Sequence, residues 1–324
     1  NIHSKKVKLI MVQKKYRLLT RSDFDGLASA VLLKSIDIID EIKFVHPQDM
    51  QDGKIDVTGN DITTNLPYIP GTYLSFEHHT DTIRSKENNE NHITYIPTPS
   101  TTRLVYYYFG GEQKFGQKYE EMIAAVDKSA KGTFTIEDVL NPQKWTLLNF
   151  VMDPRTGLGR FKDFRISNYQ LMLALIDYCK DYTVQEILNL SDVKERVDLY
   201  YEQQDKFKDQ LERCVKFYRN VTVIDLRHEE TIYAGNRFMV YALFHTLFPE
   251  NNVSIHIFWG LRKQNTVFSV GKSIFNRSLK ANLGELMLKY GGGGHANAGA
   301  CQVENDKADI ALQRLISQLN KDGS

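Results

Sequence analysis

Short apolar runs broken by polar turns dominate the first third of the chain. Lys15–Thr20 reads as a strand, Ser22 to Gly26 as a turn, and Leu27–Ile36, with apolar residues at helical spacing, as a helix. Ile42–Val45, Ile55–Val57 and Thr72–Phe76 read as further strands, and Thr101–Phe109 and Tyr119–Val126 as helices. Strands alternating with helices predict an α/β fold: a doubly wound parallel sheet. From Phe161 to Phe217 the pattern turns helical, over Asn168–Tyr178, Thr183–Leu188 and Val193–Phe217. The charges of the last segment read as a solvated face. After Asn220 the texture changes again. Val221–Leu226, Ile232–Ala234, Val253–Trp259 and Thr266–Val270 read as strands, the last two as a hairpin. Met239–Leu247, Leu283–Tyr290 and residues 307–319 read as helices. The expected organisation is an extension or tag-like segment at 1–13, a first domain at 14–160, a helical connector at 161–219, and a smaller C-terminal α/β domain with a mixed sheet at 220–324.

Composition narrows the function classes. The 324 residues carry 41 Lys and Arg against 40 Asp and Glu, a net charge of +1, which argues against coating long nucleic acid by bulk electrostatics. No apolar run reaches the ~18 residues of a membrane helix, so no membrane partner is expected. The three cysteines, Cys179, Cys214 and Cys301, are widely spaced and odd in number, which reads as reduced thiols in a cytoplasmic protein. An anionic substrate would have to be met by a few placed charges or by metal ions.

In an open parallel sheet, ligands bind beyond the carboxyl ends of the strands. Asp23 and Asp25 follow the first strand, Asp61 the third, and Glu77, His78 and His79 the fourth, while Asp127 ends the apolar run Met122–Val126. Singly, each has an ordinary explanation; Asp23 alone reads as a helix N-cap. Jointly they predict a metal site. Carboxylates with imidazoles suit Mn²⁺, with Fe, Co or Zn as alternatives and Mg²⁺ less favoured. Two such cations ~3.5–4 Å apart would clamp a phosphoryl group for in-line attack. In the other half, Gly291–Gly294 before His295 would cap a helix and expose N–H groups to an anion. Arg277 and Ser278, between a strand and a helix, offer a guanidinium and a hydroxyl to phosphate, with Lys272 a weaker candidate. Tyr106–Phe109 reads as core packing. Phe275 and Tyr290 are candidates for stacking a base. Arg155 and Arg160 read as ordinary loop residues.

The ordered set Asp23-Phe24-Asp25-Gly26, Asp61, Glu77-His78-His79, Asp127 and Gly291 to Gly299 resembles the successive motifs of the DHH phosphoesterases with their associated C-terminal domain. The resemblance spans about residues 14 to 305. It is nearest to the branch of nanoRNases, phosphoadenosine-phosphate phosphatases, cyclic-dinucleotide phosphodiesterases and exopolyphosphatase-like proteins. It implies that Asp25, Asp61, His78 and Asp127 hold one metal, that Asp23 and the shared Asp61 hold the other, and that His79 faces the substrate. It implies that Arg277, Ser278, Gly292, Gly293, Gly294 and His295 bind substrate phosphate, with the active site in the interdomain cleft. Two positions depart from the family pattern. Leu19 stands where many relatives have a metal-binding His, and Glu77 replaces an Asp, leaving it a role in orienting an imidazole.

The function this implies is metal-dependent hydrolysis of phosphoesters in short oligonucleotides or nucleotides, with His79 and Asp61 catalytic and one or two Mn²⁺ ions as cofactor (Mg²⁺, Co²⁺ or Fe as alternatives). Polyphosphate or pyrophosphate hydrolysis is the alternative enzyme reading. A nucleotide-binding sensor without turnover is the alternative of another class, for which Leu19 is the best support. Long duplex nucleic acid is not an expected partner, and a homodimer is left open.

Overall fold

A computed structural model describes residues 14–78, 90–95, 97–234 and 250–323. The elements begin with β1 (Tyr16–Arg21), α1 (Phe24–Ser35), β2 (Ile39–Val45), α2 (Pro47–Gln51), β3 (Asp61–Thr64), β4 (Leu74–Glu77) and β5 (His92–Thr94). Next come α3 (Thr101–Tyr108), α4 (Gly111–Phe115), α5 (Glu120–Lys131), α6 (Ile136–Leu140), α7 (Lys144–Met152) and α8 (Asn168–Asp181). The chain continues through α9 (Val184–Asn189), α10 (Ser191–Cys214), β6 (Val215–Tyr218), β7 (Val221–Asp225), β8 (Val253–Trp259) and β9 (Thr266–Lys272). It closes with α11 (Leu283–Leu288), β10 (Gly293–His295), β11 (Ala298–Val303) and α12 (Ala308–Asp322).

The chain forms two compact units. One takes the residues up to Lys131 together with Ser167–Thr183; the other takes Gly132–Ile166 and everything from Val184 onward. The first unit is built on a parallel sheet of order β2-β1-β3-β4-β5. Leu18, Ile62 and Phe76 are buried in its central strands. Helix α1 is buried over nearly its whole length, from Phe24 to Leu33, because α3, α5 and α8 pack around it.

Strand β3 corrects the sequence reading. The predicted strand Ile55–Val57 lies outside the sheet; its two apolar side chains pack against Leu19, Val45, Met50 and Leu66 instead. The sheet position belongs to the polar segment Asp-Ile-Thr-Thr. Its threonines are tolerated at zero exposure because hydroxyls pair across strands, Thr64 with Thr20 at 2.8 Å and Thr63 with Ser75 at 2.9 Å. A polar strand that satisfies itself internally carries little hydrophobic signal.

The second unit has a mixed sheet of order β10-β11-β9-β8-β7-β6, with β7 and β8 parallel and the other neighbours antiparallel. Ile255, Ile257, Phe268 and Val270 from the sheet meet Leu283 and Met287 of α11 and Leu315 and Leu319 of α12 in one core. Helix α10 buries Val193, Leu199, Tyr200, Phe207 and Leu211 at helical spacing, buries Arg196 with them, and turns most of its other charges outward. It stops at Cys214, where the sequence predicted helix to Phe217; Val215–Tyr218 instead pairs antiparallel with β7. Residues Ile232–Ala234, predicted as a strand, join no sheet, and the predicted helix Met239–Leu247 lies outside the described residues. Among the described residues no helix is long and apolar enough to cross a membrane. All three cysteines are free.

Candidate active site

Asp23 and Asp25 owe their positions to the tight turn between β1 and α1. Asp23 is the N-cap of α1, accepting from the Gly26 N–H at 2.9 Å, as a lone Asp there would. Gly26 is required by contact: a Cβ at this position would lie 2.0 Å from the Arg21 carbonyl oxygen. The Asp23 carboxylate also accepts from the Asn65 side-chain amide at 2.9 and 3.0 Å and lies 3.2 Å from the Arg21 guanidinium.

Asp25 is buried, and its charge is held by the N-terminus of α3. It accepts from the Thr101 N–H at 2.9 Å, the Thr102 N–H at 2.7 Å and the Thr102 hydroxyl at 2.6 Å. A helix N-terminus is the natural seat of a carboxylate, since its first N–H groups have no partner within the helix. His78 leaves the end of β4 and meets the same turn: its Nδ1 is 2.7 Å from the Thr101 hydroxyl and 3.8 Å from Asp25. Glu77, buried, is the last residue of β4 instead of following it, and its carboxylate accepts from the His78 N–H at 2.9 Å. His79 lies outside the described residues.

Asp127 sits inside α5, which runs five residues past the predicted end at Val126, to Lys131. Its oxygens accept from the Ser100 hydroxyl at 2.6 Å and from the Arg103 Nε at 2.9 Å. Ser100 caps α3, so Asp127 and Asp25 meet the same helix end from two sides. Arg103 also binds Glu120; burial opposes its charge, but the two carboxylates outweigh this and raise its pKa.

Asp61 is placed differently from the expectation. It opens β3, directly opposite Arg17 near the start of β1, and so stands at the amino end of the sheet. Four residues of strand, ~13 Å at 3.3 Å each, separate it from the carboxyl end where Asp23 lies. There its buried carboxylate accepts from Arg17 at 2.7 and 3.0 Å and from the Thr58 N–H at 2.7 Å. Burial works against the charge, but Arg17 and Thr58 outweigh it and hold the carboxyl below its ordinary range. Asp61 is therefore corrected from a strand-end ligand to half of a structural ion pair. The residue that β3 brings to the carboxyl end is Asn65, which the sequence reading passed over.

Among the described residues, no three His, Cys, Asp or Glu side chains are grouped to hold a metal ion. They offer a carboxylate–imidazole pair, Asp25 with His78, and a carboxylate–amide pair, Asp23 with Asn65. Asn65 is buried and its Oδ1 has no hydrogen-bond partner, so an oxygen acceptor of the kind a hard cation takes is present at the site. In kind, the donors fit a divalent ion.

In the second unit the glycine run is a turn followed by a strand. Gly291 (φ +74°) ends α11 and Gly293–His295 pairs with β11. A Cβ on Gly292 would lie 2.0 Å from the Ala300 carbonyl oxygen, and one on Gly294 2.3 Å from that of Ala298. The glycines thus serve close packing of the hairpin, and His295 is exposed at its end. Arg277 donates to the carbonyls of Gly132 at 3.0 Å and Ile274 at 3.1 Å. Ser278 donates to Asn276 at 2.6 Å and accepts from Asn252 at 2.9 Å. Tyr290, partly buried, packs on the core of this unit. Tyr107 and Tyr108 are exposed, so of Tyr106–Phe109 only Tyr106 is buried core. Arg155 pairs with Asp153, and Arg160 donates to the Ile232 carbonyl.

Neither a family model nor a curated protein matches the chain. Solved structures do, and the chain belongs to the DHH phosphoesterase family. The pGpG-specific phosphodiesterase PggH of Vibrio cholerae is 54% identical to it over 95% of this chain and 100% of that one, with a TM-score of 0.87. An exopolyphosphatase-related protein from Bacteroides fragilis shares the fold at 14% identity (TM-score 0.51, covering 94% of this chain and 92% of that one). RecJ from Thermus thermophilus, solved with Mn²⁺, does so at 12% identity (TM-score 0.51, covering 95% of this chain and 52% of that one).

Proposed function

We propose that this protein is a phosphodiesterase that hydrolyses short linear dinucleotides, with pGpG as the substrate to test first and a divalent cation, Mn²⁺ or Mg²⁺, as cofactor. The observation that carries this is the 54% identity to a pGpG-specific phosphodiesterase along the full length of that enzyme. When bound, the cation supplies Lewis-acid stabilisation of phosphoryl charge and lowers the pKa of a water. Asp23, Asp25 and His78 are the residues proposed to hold it, at the carboxyl ends of β1 and β4. The Asp25 carboxylate is held in place by the two N–H groups that α3 presents to it. Thr101 fixes the orientation of the His78 ring. Asp127 is proposed to act chiefly by holding Arg103 and the cap of α3 in place. His79 is proposed to give a proton to the leaving oxygen or to contact the scissile phosphate. Arg277, Ser278, Gly292, Gly293, Gly294 and His295 are proposed to bind substrate phosphate. A cytoplasmic setting is proposed with this activity.

The test is hydrolysis of pGpG, pApA, pAp and polyphosphate with Mn²⁺, with Mg²⁺ and after EDTA. Turnover of pGpG above the others, abolished by EDTA and restored by the metal, is the expected result. Tight dinucleotide binding with no turnover in either metal would overturn the hydrolase reading in favour of a sensor.

A further inference from the structure

The Asn65 side chain is chemically unresolved by the protein around it. It follows β3 in left-handed backbone (φ +56°), 3% exposed, and its Nδ2 donates to both oxygens of Asp23 at 2.9 and 3.0 Å. Its Oδ1 is then buried with no donor, which leaves its desolvation uncompensated. Turning the amide over does not help, because Oδ1 would then face the Asp23 carboxylate, acceptor against acceptor. A divalent cation beside the Asp23 carboxylate would give Asn65 Oδ1 the partner it lacks. An amide oxygen beside a carboxylate belongs to the hard donor set that Mn²⁺ and Mg²⁺ take. Left-handed backbone also favours Asn over most side chains, so the residue is held in place by its main chain.

We infer that Asn65 Oδ1 is a ligand to the divalent cation at Asp23, the contribution from β3 that the sequence pattern had led one to expect from Asp61. This rests on the phosphodiesterase reading only for the presence of a cation. It makes the ligand from the middle strand neutral, so the site gathers less negative charge than the count of acidic motifs suggests.

Mn²⁺ binding to the metal-free full chain, followed by the electron paramagnetic resonance signal of the free ion, tests this without recourse to turnover. Asn65→Gly keeps the left-handed backbone and removes the amide; it is expected to weaken Mn²⁺ binding at least ~10-fold, as loss of a direct ligand should. Asn65→Asp keeps an oxygen and adds charge, and is expected to bind Mn²⁺ as tightly as the wild type or more so. Asp61→Asn is expected to leave Mn²⁺ affinity unchanged. Wild-type affinity in Asn65→Gly overturns the inference, as does a wild-type protein that takes up no Mn²⁺. Wild-type pGpG turnover, measured alongside, separates the two readings: turnover with an indifferent Asn65→Gly removes only the ligand, and cation binding through Asn65 without turnover removes only the phosphodiesterase.

Discussion

Replacing Asp61 by Asn separates a structural lock from a catalytic group. The Asp61 carboxylate is 1% exposed and accepts four bonds, two from Arg17, one from the Thr58 N–H and one from the Thr58 hydroxyl at 3.1 Å. The amide keeps one acceptor and turns its NH₂ toward a guanidinium. Breaking a buried ion pair from one side costs about 3–5 kcal/mol, and the partial exposure of Arg17 points to the lower end, about 3 kcal/mol. For a unit of roughly this size each kcal/mol moves the transition by about 2–4 °C, so the first unit should melt about 6–12 °C lower. Differential scanning calorimetry reads this directly, and pGpG hydrolysis well below the transition reads the chemistry. The expected outcome is a large loss of thermal stability with turnover kept within about threefold. The double variant R17M/D61L should recover part of the loss, because two apolar partners leave no charge unpaired. Turnover falling by orders of magnitude with an unchanged melting transition would refute the argument and return Asp61 to the chemistry.

Two further outcomes follow from the same structure. Gly26→Ala should destabilise the β1–α1 turn by about 1–3 kcal/mol, the cost of overpacking; urea midpoints measure it, and a neutral effect would mean that the Arg21 carbonyl moves freely. Burial pushes the His256 imidazole down to about 4 from its ordinary 6.5. The unfolded chain therefore takes up this proton first, so stability is full above about pH 6.5 and falls as pH drops from there toward 4. Urea midpoints between pH 7 and 5 should fall by less in His256→Gln than in the wild type, and parallel profiles would show that His256 stays solvated.

Strand alternation, the turn after β1 and the acid pairs were legible because each leaves a local pattern. β3 was not. Its threonines and Asp61 are polar in sequence yet buried, satisfied by Thr20, Ser75 and Arg17 from strands distant along the chain. Hydropathy therefore drew the eye to Ile55–Val57 and moved the strand by one segment, which set Asp61 at the wrong end. Asn65 carries a weaker signal, an isolated Asn just past a short β-branched run and before Leu-Pro. The run Ser100-Thr101-Thr102 is an N-cap pattern, and its partnership with Asp25, 76 and 77 residues away, follows only from the fold. The end of α10 was misjudged because Val215–Phe217 continues the spacing of apolar residues, whereas pairing with β7 decides its conformation.

The path of the chain has a consequence for its biosynthesis. Helix α8 belongs to the first unit, where it packs on α1 and where Lys34 and Asp177 form an ion pair at 2.8 Å. Yet Gly132–Ile166, which precedes it, belongs to the second. On the ribosome, α1 therefore emerges long before the helix that covers one of its faces, and the intervening segment emerges with its own partners still unmade. Folding unit by unit in order of synthesis is ruled out by this connectivity. The nascent protein must carry an uncovered apolar surface until residue 183 is clear, which makes that interval the one in which a chaperone has most to do.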